Sequence, residues 1–336
     1  MNSSFDLFRG DGHQAAEPGP QLPPPLQTRL RQPGRYLVDP GLRDACNVAL
    51  LLGQPLLLTG EPGTGKSRFA DVLAWEFRLE EPLAYSVKST SQARDLFYHY
   101  DALQRFQDIH SGRKPEEAPP IRYLTINALG QAILNSLAAD ELPEALRSLA
   151  RSGAPRRSVV LLDEIDKAPR DFPNDVLTEL EDLCFRIPEL GDTRLRADPE
   201  LRPLLVITSN SERDLPDAFL RRCVYYNIPF PDKEKLAEIV ALQLEEIPDD
   251  SALSRDAIAL FRKLREPTSG LRKKPATAEL LLWLLTLRRV LGEAADATGL
   301  RGRDHQEAVF RSISGLIKTR DDRDRAEEVT RQWLSG

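Results

Sequence analysis

Gly60-Glu-Pro-Gly-Thr-Gly-Lys-Ser67 is the stretch on which the reading of this chain turns. It fits the pattern GxxxxGK[ST]. An apolar run, Pro55-Leu-Leu-Leu-Thr59, leads into it, and a helix-compatible stretch, Lys66 to Trp75, leads out. A strand that delivers the loop and a helix that begins at Lys66 aim backbone N–H groups and a helix N-terminus at phosphate oxygens. Gly60, Gly63 and Gly65 allow the backbone to turn sharply and approach a ligand closely. Glu61, Pro62 and Thr64 fill the loop between them. In such a cradle Lys66 reaches the β- and γ-phosphates and Ser67 ligates Mg²⁺. The expected ligands are ATP and Mg²⁺. The chain contains no NKxD motif, which turns the reading away from a small GTPase.

The surrounding strands extend this frame. Leu56–Thr59, Leu83–Val87, Val159–Leu162, Leu204–Thr208 and Val224–Ile228 are short apolar runs separated by helix-compatible stretches. Continuous apolar strands are those buried on both faces of a parallel sheet. The expected fold class is therefore α/β, a parallel sheet sandwiched by helices in right-handed crossovers. After Pro231 the pattern is helical throughout, with candidates at Lys233–Glu246, Ser254–Leu264, Thr277–Leu291, Asp304–Lys318 and Arg323–Trp333. This predicts an α/β nucleotide-binding domain over residues 35–231 and a smaller all-helical domain over 232–336. Residues 1–34, rich in Pro, Gly and polar types, are expected as a flexible arm. Lys66 to Asp163 is too long a span for one strand and two helices, so an insertion is expected inside it. Gln107–Pro120 reads as a loop within that insertion, and Tyr123-Leu-Thr-Ile126 as one arm of a small hairpin.

Composition narrows the function. The 336 residues carry a formal charge of −6, which disfavours a generally basic nucleic-acid binder. Cys46, Cys184 and Cys223 lie far apart, form no CxxC pair and suit a reduced, intracellular setting. No signal-peptide pattern or bilayer-length apolar run is present, so a cytoplasmic protein without a membrane partner is expected.

Three further stretches carry chemistry. Val159-Val-Leu-Leu-Asp-Glu-Ile-Asp166 is an apolar strand ending in acids, where Asp163 would hold Mg²⁺ through water and Glu164 would polarise the attacking water. Asp166 and Lys167 read equally well as surface residues. Leu204-Leu-Val-Ile-Thr-Ser-Asn210 ends in a polar side chain able to orient that water; Asn210 is the choice. Asp214-Leu-Pro-Asp-Ala-Phe-Leu-Arg-Arg-Cys223 offers Arg221 and Arg222, able to neutralise transition-state charge in a neighbouring subunit's site.

The ordered set of Gly60–Ser67, Leu162-Asp-Glu-Ile-Asp166, Thr208-Ser-Asn210 and Leu215-Pro-Asp-Ala-Phe-Leu-Arg-Arg222 resembles an AAA+ ATPase. Tyr36-Leu-Val-Asp39, Leu57-Leu-Thr-Gly-Glu-Pro-Gly-Thr-Gly-Lys66 and Asp166-Lys-Ala-Pro169 resemble the MoxR branch of that family, over roughly residues 35 to 330. The resemblance implies ATP hydrolysis by a ring, expected to be a homohexamer, that remodels or activates a protein partner in a chaperone-like way. It implies an insertion near 95–137 and a hairpin near 185–195, both facing the ring pore. It makes Arg222 the arginine finger, with Arg221 as the alternative, and places Tyr36 and Leu37 near adenine. The family's lid sensor is an arginine. Here that stretch reads Leu271-Arg-Lys-Lys-Pro-Ala-Thr277, and Lys274 is the choice over Arg272 and Lys273. Asp95-Leu-Phe-Tyr-His-Tyr100 is unusual, its aromatics suited either to gripping a substrate chain or to packing the insertion. A nucleotide-dependent switch with slow turnover and a nucleic-acid-directed ATPase subunit are the competing readings.

Overall fold

The computed structural model describes residues 8, 24–26, 30, 32–149 and 154–335. They form two compact units. Of the described residues, the α/β unit takes those within 38–61 and 65–229, and the helical unit takes those from Phe230 on, Pro62–Thr64 and those up to Leu37. The boundary thus falls at Pro229/Phe230 rather than 231/232, and Tyr36 and Leu37, placed by sequence at the start of the α/β domain, group with the helical unit.

The α/β unit is built on a five-stranded sheet. Its strands are β1 (Leu56–Thr59), β2 (Leu83–Ser86), β5 (Val159–Asp163), β8 (Leu204–Thr208) and β9 (Val224–Asn227), in the order β2-β5-β8-β1-β9. Every pairing is parallel. The interior strands read as unbroken apolar runs because helices cover both faces; Leu57, Val160, Leu162 and Ile207 are fully buried. Helix α1 (Pro40–Leu52) leads into β1, its N-terminus capped by Asp39, which accepts from Gly41 N–H at 3.0 Å. Helix α2 (Arg68–Glu76) follows the Gly-rich loop. It starts two residues later than the sequence suggests, with Lys66 and Ser67 in the turn that feeds it.

Between β2 and β5 lies the insertion. Strands β3 (Tyr98–Tyr100) and β4 (Leu124–Ile126) pair antiparallel, joined through α3 (Ala102–His110), and α4 (Ala128–Asn135) follows. Residues 107–110, expected as loop, belong to α3. That helix is capped by Asp101 and tied down where Asp108 accepts from Tyr123 Oη at 2.7 Å and pairs with Arg113. Strands β6 (Cys184–Ile187) and β7 (Thr193–Arg196) form a second antiparallel pair. The two pairs are packed together: Phe97 stacks on Phe185 with centroids 5.0 Å apart, and Tyr98 Oη donates to Glu189 at 3.0 Å. Of the aromatics in Asp95–Tyr100, Phe97 and Tyr98 are therefore core residues rather than an exposed grip.

The helical unit packs helices Lys233–Gln243, Ala252–Arg265, Thr277–Leu291, Arg303–Ser312 and Arg320–Ser335 around Trp283 and Phe261, which are fully buried. Most of the expected flexible arm lies outside the described residues; Leu26 and Leu30 pack into this helical core. Asp322, fully buried at the start of the last helix, accepts from the backbone N–H groups of Arg272 (2.8 Å) and Lys273 (3.1 Å). It thereby fixes the basic loop ahead of Thr277. Burial pushes the Asp322 carboxyl up, but the N–H donors of Arg272 and Lys273, the Thr319 hydroxyl and the Arg325 charge outweigh it, and its pKa is lowered on balance. Replacing Asp322 with Ala should destabilise the helical unit by about 3 kcal/mol, the order expected for hydrogen bonds to a charged acceptor. A lowered folded pKa gives stability that is present above the unfolded pKa and lost as pH falls through the folded one. The gap in Tm between wild type and Asp322→Ala should therefore be full at pH 7 and narrow in acid. A gap that is constant across pH would show that the carboxylate charge is not what holds the loop.

Candidate functional site

Parallel strands in one sheet end at one edge, and a crossover that skips a position opens a crevice there. Because β8 lies between β5 and β1, the last residues of the three strands (Asp163, Thr208 and Thr59) come side by side. The Gly-rich loop leaves from Thr59. Its backbone has φ of 138° at Gly60, 77° at Gly63 and 91° at Gly65, values that L side chains rarely adopt.

Asp163 is the hub of the edge. One of its oxygens, Oδ1, accepts from Ser67 Oγ at 2.6 Å and from Thr208 Oγ1 at 2.6 Å. Loop, β5 and β8 are thus tied at one atom. Lys66 is buried, at 6% exposure, and its ammonium donates to the carbonyls of Gly60 (2.9 Å) and Glu61 (3.0 Å). It has no carboxylate within ion-pair distance among the described residues. Burial lowers the Lys66 pKa, while the charges of Asp166, Asp163 and Glu164 act to raise it. A buried cation whose hydrogen bonds go only to neutral carbonyls is a site short of negative charge. A triphosphate would supply that charge, so the residues fit ATP; Ser67 and Asp163 are hard oxygen donors of the kind Mg²⁺ takes.

Glu164 follows Asp163 in the left-handed region, φ 61°, where a non-glycine residue carries strain. Its backbone N–H donates to Thr208 Oγ1 at 2.9 Å, which pins that conformation. Its carboxylate accepts from Asn210 Nδ2 at 3.2 Å and from Lys167 Nζ at 2.5 Å. The structure therefore brings Lys66, Ser67, Asp163, Glu164 and Asn210 together.

Asp166 is not a surface residue. It is 3% exposed and accepts from the backbone N–H groups of Asn210 (3.2 Å) and Glu212 (3.0 Å), so it sets the loop that presents Asn210. Lys167 does lie at the surface, but in an ion pair with Glu164. Thr208, which sequence reasoning passed over, bonds to both Asp163 and Glu164. A hydroxyl closing an otherwise apolar strand was its only signal.

Arg221 and Arg222 stand at the opposite edge. They precede β9, whose Val224 is in register with Leu56, the first residue of β1, whereas the loop follows the last. At ~3.3 Å per residue, the length of β1 alone separates them from the loop by more than about 10 Å. Arg222 Nε donates to Glu181 Oε1 at 2.5 Å, and its Nη1 to the Ala218 carbonyl at 3.0 Å. Arg221 is exposed, with no side-chain partner among the described residues. Tyr36, Leu37 and Lys274 belong to the helical unit; Tyr36 and Leu37 are half-buried, and Lys274 is exposed on the loop that Asp322 holds.

The sheet order and the loop at the end of β1 define a phosphate-loop NTPase of AAA+ type, with a helical C-terminal region. Residues 55–223 match the family model described as AAA domain (dynein-related subfamily). The chain belongs to that family. Among solved structures, a variant of RuvB from Thermotoga maritima is similar at 16% identity and a TM-score of 0.43, over 84% of this chain and 69% of that chain. No curated protein sequence matches the chain. No helix among the described residues is long and apolar enough to cross a membrane.

Proposed function

We propose that this chain binds and hydrolyses ATP as a ring-forming, MoxR-like AAA+ ATPase that remodels or activates a partner protein. The observation that carries the reading is the convergence on one sheet edge of a buried, charge-seeking Lys66, the Ser67–Asp163–Thr208 cluster and the carboxylate of Glu164. In this reading Gly60–Ser67 wraps the phosphates, and Lys66 leaves its loop carbonyls to face the β- and γ-oxygens. Ser67 and Asp163 would hold Mg²⁺, which when bound neutralises phosphate charge. Glu164 takes a proton from the attacking water, and Asn210 orients Glu164 and that water. Tyr36 and Leu37 contact adenine, Lys274 serves as the lid's sensor, and Arg222 acts on the site of a neighbouring copy. Because each site then borrows a residue across a boundary, ATP is a ligand of the interface and favours the ring by mass action.

A nucleotide-dependent switch with slow turnover is the second reading. It is favoured by one observation, that both oxygens of Glu164 already have partners.

Two measurements on the unaltered chain test the proposal. Phosphate release from ATP is expected with Mg²⁺ present. Light scattering is expected to show a larger species, a hexamer, with ATP and Mg²⁺ than without nucleotide. A chain that binds ATP yet releases no phosphate supports the switch. One that stays monomeric in ATP across a wide concentration range removes the ring.

A further inference from the structure

The end of the sheet away from the phosphate loop, where the strands begin, carries a cavity that the reaction set out above does not use. It lies within the α/β unit and has a volume of about 290 Å³. Its floor is apolar. Ala49 of α1, Leu56 of β1, Leu73 of α2 and Val206 of β8 line it, and all four are buried. Cys46 adds a thiol that burial, and after it the charge of Glu76, push up to about 11, so it faces the cavity as a neutral group.

Among the described residues no acid lines this cavity, but two arginines do. Arg157 precedes β5 by two residues and Arg202 precedes β8 by two, and the strands' first residues, Val159 and Leu204, are in register. The arginines therefore enter from neighbouring strand starts. Both are half-buried, and both donate to backbone carbonyls: Arg157 Nη2 to Glu200 at 2.6 Å, Arg202 Nε to Gly53 at 3.0 Å and Nη2 to Glu181 at 3.1 Å. Neither has a carboxylate within ion-pair distance among the described residues. The acids close by are engaged elsewhere. Asp182 pairs with Arg196, Glu181 pairs with Arg222, and Asp198 accepts from the Glu200 N–H. Burial lowers the Arg202 pKa, against the charge of Asp182. Two cations with only neutral partners, set side by side over an apolar floor, leave a place for one negative charge that brings an apolar body.

Size limits what that body is. A specific protein partner buries on the order of 800 Å² on each side. A concave, mostly apolar pocket of roughly 300 Å³, with a few polar groups at one end, is the form of a small-molecule site. Arginine takes a carboxylate through paired N–H groups. Nη1 of Arg202 and both Nε and Nη1 of Arg157 have no acceptor among the described residues. We propose that this cavity binds a medium-chain carboxylate, its head held by Arg157 and Arg202 and its hydrocarbon chain laid on Ala49, Leu56, Leu73 and Val206. The site is independent of the ATPase reading, and its detection needs no turnover.

Calorimetric titration of the full chain with decanoate, kept below its micelle concentration, should show saturable binding of a single molecule per chain. Decanol keeps the hydrocarbon chain and loses the charge. It should bind about tenfold or more weakly, the order expected when hydrogen bonds between charged groups are lost. Acetate, which keeps the head and loses the chain, should give no measurable binding. Arg157→Gln should weaken decanoate about tenfold and leave decanol unchanged. Ala49→Leu, which fills the floor, should weaken both. Decanoate that binds no tighter than decanol, or that binds both variants as it binds the unaltered chain, would overturn the proposal, as would a titration that never saturates. Binding that disappears when ATP and Mg²⁺ assemble the chain would also overturn it and assign the cavity to a contact between copies. Should Ala49→Leu fail to fold, the comparison of decanoate with decanol in Arg157→Gln decides alone.

Discussion

Glu164→Gln protein is expected to bind ATP as the unaltered chain does and to release phosphate about 10²–10⁴ times more slowly, the usual contribution of a positioned general base. The amide has nearly the shape of the carboxylate and can still meet Asn210, so the loop and its phosphate contacts are undisturbed. What it lacks is the capacity to accept a proton from water. Lys66→Ala should fail one step earlier. It removes the one buried cation of the loop, and with it the charge-assisted contacts that a triphosphate would make. Parallel binding and phosphate-release assays separate the two: binding without turnover for Glu164→Gln, neither for Lys66→Ala. Normal turnover by the Gln variant would remove Glu164 from the mechanism and leave the carboxylate as a partner of Asn210 and Lys167.

The parts of this site that were legible in the sequence are those that are local. Gly60–Ser67 is contiguous, and its pattern, the strand before it and the helix after it all lie between Leu56 and Glu76. Asp163 and Glu164, at the end of β5 and just past it, were legible for the same reason, since a buried strand must end and its first polar residues must face the edge. Thr208 and Asp166 were not, because their roles arise from the sheet order. Only when β8 is inserted between β5 and β1 does a threonine at one strand end meet an aspartate at another. Asp166 illustrates the same limit. As a string, Asp163-Glu-Ile-Asp166 ends in an acid that could be solvated; in the fold it is buried because Asn210 and Glu212, more than forty residues on, need an acceptor for their N–H groups. Helix α3 was half-missed where polar residues run into Pro115, since its anchors Tyr123 and Arg113 lie beyond the helix itself. The domain boundary shifted by two residues, and Leu30 turned from arm to core, for a related reason: whether a lone leucine in a Pro-rich stretch is buried depends on a surface elsewhere in the chain.

Arg222→Ala protein is expected to bind ATP about normally and to hydrolyse it poorly. Arginine fingers in other phosphate-loop enzymes contribute roughly 10³–10⁵ in rate, and a loss at or below the lower end is expected here. The in-trans role proposed for Arg222 is supported by its place in the sheet. Arg222 enters β9 at the edge where β1 begins, and the phosphate loop departs from the edge where β1 ends. Neither a rotamer change nor release from Glu181 spans that distance, so Arg222 can serve a phosphate loop only in a second copy. Arg222 pairs with Glu181 where both side chains are partly exposed, a contact that the proposed engagement of a neighbour would break. Mixing decides the matter. Arg222→Ala protein supplies a sound loop but no finger, and Lys66→Ala protein supplies a finger but no usable loop. Interfaces that join the intact halves should regain activity in the mixture, in proportion to their frequency. If the mixture assembles normally and stays as inactive as its components, Arg222 does not act across the boundary. The same experiment with Arg221→Ala then tests the neighbouring arginine, which is exposed and has no side-chain partner to leave among the described residues.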